Sequence, residues 1–87
     1  MEANYDKIRT VLRNELKNMK PQLSGSYADS DNFKENLSLD SLNLAEFVAR
    51  IELIYRVEVD DADWKSLDSI KSTTEYLLKE LGENPGV

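Results

Sequence analysis

A chain of 87 residues, 40% of them hydrophobic, is enough for one small domain with a single core of modest stability. Cysteine and histidine are both absent, which removes disulfides, the usual zinc sites, thiol nucleophiles and the commonest general base, and argues against a self-contained enzyme. The net charge of −6, from 11 basic and 17 acidic residues, repels nucleic acid and anionic lipid and favours cationic protein partners.

Over residues 4–19, Ile8, Val11, Leu12, Leu16 and Met19 recur at spacings of three and four, the stripe of an amphipathic helix. Asn4 is placed to cap it and Pro21 to end it by about Lys20. Residues 20–39, KPQLSGSYADSDNFKENLSL, mix Pro, Gly, Ser, Asp and Asn, which predicts a long loop pinned to the core by Leu23, Phe33, Leu37 and Leu39. A loop of that length inside a small domain is more often functional than not.

From Leu42 to Tyr55 the apolar positions Leu44, Phe47, Val48, Ile51 and Tyr55 predict a second helix, with Asp40 as its cap. Val57 and Val59 then form a short extended link to a brief helical turn, capped by Asp60 or Asp61, that carries Trp64 and Leu67 into the core. Ile70, Thr74, Leu77, Leu78 and Leu81 mark a last helix, with Asp68 or Ser69 as cap, a Ser72–Glu75 capping box and Gly82 as the stop. Residues 83–87 read as a flexible tail, leaving about 4–82 ordered. The expected fold is all-α: three main helices, one short helix, a long first loop and no strand pairs, in a single domain spanning 1–87.

No apolar run approaches the ~18–20 residues needed to span a bilayer, and MEANYDKIRT lacks the pattern of a secretory signal. The expected location is the cytoplasm, where the Asn36-Leu37-Ser38 sequon has no glycosylation role.

The second helix has an apolar row beyond its core stripe. Leu42, Ala45 and Ala49 lie at spacings of three and four beside Ser41, Leu53 extends the row, and Glu46 and Glu52 flank it. Apolar contact with carboxylates alongside is the composition of a partner-docking face; the other reading is of ordinary helix-forming alanines and stray surface leucines. Ser41 falls in the first turn, where unpaired backbone N–H groups and the helix dipole favour a phosphate ester. It has an alternative role too, since Asp40 and Ser41 compete as N-caps. Ser41 is not a hydrolytic nucleophile, because no histidine exists to take its proton.

"FKENLSLDSLNLAEFVARIELIYRVEVDDADWKSL" followed by "DSIKSTTEYLLKEL" resembles the acyl carrier proteins, from about Phe33 to Leu81. The matching features are the Asp40-Ser41-Leu42 triplet, Glu46 five residues after the serine, Tyr55 closing the helix, the Asp60-Asp61 turn, and Ser69-Ile70 leading into Glu75-Tyr76-Leu77. The resemblance implies a small four-helix bundle in which 4'-phosphopantetheine, transferred from coenzyme A by a phosphopantetheinyl transferase, is joined to Ser41 beside Asp40. The arm's thiol then carries an acyl group as a thioester, and the carrier does no bond-making itself.

By the same resemblance the outer face of the second helix, with Leu42, Ala45, Glu46, Ala49, Glu52 and Leu53, docks acyl-loading and acyl-processing enzymes through their basic patches. Leu44, Val48, Ile51, Ile54, Tyr55 and Trp64 are expected near a cavity that shelters the acyl chain. No metal site, nucleic-acid contact or membrane insertion is implied, and the chain is expected to be a monomer.

Departures from the family pattern are informative. Asn36-Leu37-Ser38 stands where Asp-Leu-Gly is commonest, so the turn into the helix is made without glycine. Asn43, Arg50, Leu53 and Ile54 make the second helix less negative than fatty-acid-type carriers have it, and the first loop is longer. These point to a dedicated carrier for specialised fatty acid or polyketide assembly. Two alternatives stand beside it: a D-alanyl or peptidyl carrier, the peptidyl version disfavoured by Asp40, and an unmodified helical interaction module in which Ser41 is only a cap. Calcium sensing through Asp29, Asp31 and Asp40 fails on spacing, because Phe33 occupies a ligand position and Lys34 that of the turn glycine.

Overall fold

A computed structural model describes residues 4–23 and 26–82. Helix α1 spans Tyr5–Met19, α2 Ser41–Tyr55 and α3 Ile70–Gly82, with short 3-10 segments at Pro21–Leu23 and Asp61–Ser66. Among the described residues there is no strand, and the all-α expectation holds.

Each helix starts where side-chain oxygens satisfy its unpaired N–H groups. Asn4 caps α1, its Oδ1 accepting from the Lys7 N–H at 2.9 Å, and Lys20 ends that helix one residue before Pro21. Asp40 caps α2. At α3 the predicted Ser72–Glu75 box gives way to a pair one turn earlier: Ser69 Oγ accepts from the Ser72 N–H at 3.0 Å, and Ser72 Oγ from the Ser69 N–H at 3.1 Å. Ser69 is the buried residue at that boundary, so its short side chain is already held against the helix start. Asp60 stands at the cap of the Asp61–Ser66 segment, but its side chain makes no capping hydrogen bond there. The predicted tail 83–87 lies outside the described residues.

The main core joins Ile8, Leu12 and Leu16 of α1, Phe47 and Ile51 of α2, Ile70 and Leu77 of α3, and three loop residues, Phe33, Leu37 and Leu39. Phe33 meets Phe47 edge to face, ring centroids 5.3 Å apart. A smaller cluster of Val48, Val59 and Leu67, with Trp64 and Tyr76 half-buried against it, seats the short segment between α2 and α3. Helix α1 packs against both α2 and α3.

Thr73 and Thr74 are buried without polar cost, because their hydroxyls donate to the carbonyls of Ser69 and Ile70 one turn back. The tyrosine hydroxyl of Tyr76 is held protonated, its pKa pushed up to about 12 by burial and by the carboxylates of Glu80 and Asp63.

From residue 26 onward the long loop is docked against the helices. Asp29 receives hydrogen bonds from Arg9 and Arg13 of α1, and the Arg13 guanidinium lies 4.2 Å from the centre of the Tyr27 ring. The loop also completes the start of α3: the Asp29 carbonyl accepts from the Lys71 N–H, and the Phe33 N–H donates to the Asp68 carbonyl, both at 2.8 Å. Burial alone would raise the Asp29 pKa, but the two arginines outweigh it and hold the carboxyl below its ordinary value.

Candidate functional site

The segment leading to Ser41 is fixed residue by residue. Leu37 and Leu39 are buried, and the Leu39 N–H donates to the Phe33 carbonyl at 2.9 Å. Between them Ser38 adopts φ 58°, the left-handed conformation that glycine takes most readily. The turn predicted to lack glycine's freedom is therefore made by a serine in a strained region, with Lys20 Nζ donating to the Ser38 carbonyl at 3.3 Å.

Asp40 then closes a reciprocal capping box. Its Oδ1 accepts from the Asn43 N–H at 2.8 Å, and Asn43 Oδ1 accepts from the Asp40 N–H at 3.2 Å. This resolves the competition between the two candidate caps. Asp40 does the capping with Asn43 as its partner, and Ser41, the first residue of α2, is exposed. Its hydroxyl sits at the positive end of a 15-residue helix with no acidic residue in its first turn. An anionic ester on that oxygen would meet the unpaired N–H groups of the turn.

The outer face of α2 differs in detail from the expected row. Leu42 and Leu53 are each 80% exposed, and Ala49 is exposed between them, while Ala45 is half-buried. Leu42, Glu46, Ala49 and Leu53 thus form one outward line at spacings of four, three and four.

Neither of the two carboxylates expected beside the row is unpaired. Glu46 Oε2 accepts from Arg50 Nε at 3.1 Å and from Arg50 Nη2 at 2.8 Å, and Arg50 Nη1 donates to Glu15 Oε1 of α1 at 3.2 Å. The Glu46 bond, then the Glu15 bond, hold the Arg50 pKa above its ordinary value. Glu52, half-buried, accepts from the Val59 N–H at 2.9 Å and serves the link to the next segment. The Glu46–Arg50 pair is legible as an i, i+4 spacing; Glu15, 35 residues away, carried no signal.

The residues expected around an acyl cavity are divided by the fold. Leu44, Ile51 and Tyr55 belong to the main core, whereas Val48 and Trp64 belong to the smaller cluster, where Trp64 Nε1 donates to the Val59 carbonyl at 3.4 Å. Ile54 is corrected. It is 41% exposed, lying about a sixth of a turn round the helix from buried Ile51, on the side next to exposed Leu53.

Among the described residues no helix is long and apolar enough to cross a membrane. Asp29, one of three aspartates weighed as cation ligands, is engaged by arginines instead.

A family model described as a phosphopantetheine attachment site matches residues 6–77, most of the chain. Over 55 residues the chain is 36% identical to polyketide-8 synthase acyl carrier protein 2 of Streptomyces avermitilis, a match covering 63% of each protein. It is 29% identical over 76 residues to an acyl carrier protein of Phytoplasma australiense, covering 87% of this chain and 95% of that one. A third similarity, 26% identity over 81 residues, is to an acyl carrier protein of Thermotoga maritima, covering 93% and 95%.

Proposed function

The chain belongs to the acyl carrier proteins, carriers of covalent 4'-phosphopantetheine rather than catalysts, and from that premise we propose that Ser41 is the attachment residue and α2 the surface that presents the cargo. The observation that carries the assignment is the division of labour at the start of α2. Asp40 and Asn43 satisfy the cap between them, leaving an exposed serine hydroxyl with no structural duty on a rigid mount.

When attached, the arm supplies a thiol that holds an acyl group as a thioester. The chain's own part is to hold the phosphate end of the arm at the helix start, with the first-turn N–H groups facing it. By its resemblance to the family, the base and metal that attachment requires come from the transferase. Between the two apolar clusters, Leu44, Val48, Ile51, Tyr55 and Trp64 are the residues that part to admit an acyl chain.

Partner enzymes with basic patches answer the exposed acidic edge formed by Glu58, Asp60 and Asp61 beyond the end of α2. The pathway we assign is a specialised one, of polyketide or modified fatty acid type, operating in the cytoplasm with the chain as a monomeric single-domain carrier. Support comes from the name of the Streptomyces relative and from an α2 face whose carboxylates are paired internally.

Intact mass before and after incubation with coenzyme A and a broad-specificity phosphopantetheinyl transferase tests the site. The expected result is a phosphopantetheine-sized gain that Ser41→Ala abolishes. A gain that persists in the variant would place the arm elsewhere, and no gain from the folded parent would make the outer row a binding surface without cargo.

A further inference from the structure

Glu46 lies in the middle of the outward line of α2, between Leu42 and Leu53, which are each 80% exposed and stand ~16 Å apart along the axis at 1.5 Å per residue. A carboxylate there would ordinarily be the charge that a basic partner reads. Here Arg50, on the side of the helix that faces α1, holds one oxygen of Glu46 through two N–H groups while its third contact reaches Glu15. The ladder Glu15–Arg50–Glu46 ties α2 to α1 and pairs one oxygen of the Glu46 carboxylate, whose side chain is 52% exposed. What faces outward is then apolar at both ends, small at Ala49, and electrically paired in the centre.

We propose that Arg50 is the specificity-determining residue of this face: by masking Glu46 it selects a partner enzyme whose matching surface is apolar and uncharged opposite the middle of α2, with pockets for Leu42 and Leu53. This rests on the carrier reading above. Basic residues of the partner meet the separate acidic edge at Glu58, Asp60 and Asp61, so charge guides the approach while the middle of α2 rejects a lysine or arginine that finds no unpaired carboxylate. Burying such a cation without a partner is the penalty that discriminates.

The test uses the full chain and a broad-specificity phosphopantetheinyl transferase as the docking probe, with kcat/KM for modification measured from 25 to 500 mM salt (concentrations of about one to twenty times the lowest, spanning strong and weak screening). Arg50→Gln unmasks Glu46 and is expected to steepen the salt dependence, raising kcat/KM about two- to fivefold at the low-salt end, the scale of one exposed charge pair. The double variant Glu46→Gln, Arg50→Gln is expected to return the slope to that of the parent. Glu15→Gln cuts the tie to α1 and leaves the Glu46 mask in place, so it is expected to change stability and not slope. Leu53→Ala is expected to lower kcat/KM equally at all salt concentrations.

Equal slopes for the parent and Arg50→Gln, with both folded by circular dichroism, overturn the inference while leaving the carrier reading intact. A Glu15→Gln slope matching that of Arg50→Gln reduces Arg50 to a structural tie. Concentration-dependent self-association of the parent in sedimentation, abolished by Leu53→Asp, would assign the line to a second copy of the chain and also overturn it. Failure of the parent to be modified at all removes the carrier reading and this inference together.

Discussion

At the scale of single residues, the boundary between loop and α2 separates two roles that adjacent polar residues often share. Asp40 is structural, exchanging hydrogen bonds with Asn43; Ser41 is exposed. Asp40→Ala is expected to cost about 1 kcal/mol in urea unfolding, the ordinary value of an N-cap, whereas Ser41→Ala should stay within about 0.5 kcal/mol of the parent. Equal losses would return Ser41 to capping duty. Two residues before Asp40, Ser38 holds φ 58° without glycine's tolerance. Ser38→Gly is expected to stabilise the chain by about 0.5–1 kcal/mol, the relief of left-handed strain less the entropy that glycine adds to the unfolded state. An unchanged urea midpoint would show that the serine is not strained there.

At the scale of elements, α2 has two faces with different physical duties. Its inner residues are shared between the main core, with Phe47 and Ile51, and the smaller cluster, with Val48. Ile51→Ala is expected to lose about 2–5 kcal/mol, a core-sized penalty large enough to threaten so small a domain. Val48→Ala removes less volume at the cluster around Val59 and Leu67, and should cost about 1–2.5 kcal/mol. Thermal unfolding of the two variants reads this directly, and a reversed order would mean that the smaller cluster carries the fold. The stripe of α2 was legible from spacing alone because a helix buried on one side repeats its apolar residues every three or four positions. Glu52 was not. It is drawn to the Val59 N–H, a bond that exists only because the link folds back beside the helix end.

At the scale of the whole molecule, the long loop acts as a strap across α1 and α3. Arg9 and Arg13 hold Asp29, and the backbone of the same residue completes the start of α3. The Asp29 pKa is lowered on folding, so the ionised carboxylate binds more strongly in the native state. Its contribution is complete above the unfolded value near 3.8 and is lost as pH falls through the lower folded value. Asp29→Asn is accordingly expected to lower stability at neutral pH by about 1–2 kcal/mol, two partly exposed pairs, and to flatten the loss of stability in acid below about pH 4. Urea midpoints at neutral and acid pH measure both, and a variant with the parent's acid profile would show that other carboxylates set it.

What the amino-acid sequence determined by itself was everything that depends on local pattern: the three main helices, the Asn4 and Asp40 caps, the loop anchors Phe33, Leu37 and Leu39, and the serine at the start of α2 within the segment resembling acyl carrier proteins. Periodicity and capping act over one or two turns, so they are written in neighbouring residues. Only the tertiary structure decided how far Ile54 is left exposed and which charges are paired across the fold. The Glu15–Arg50 and Arg9–Asp29 contacts join residues 35 and 20 positions apart, and no local rule relates such pairs. Their partners are chosen by how α1, α2 and the loop come to rest against one core, and that choice placed Glu15 of α1 beside an Arg50 already paired with Glu46 within α2.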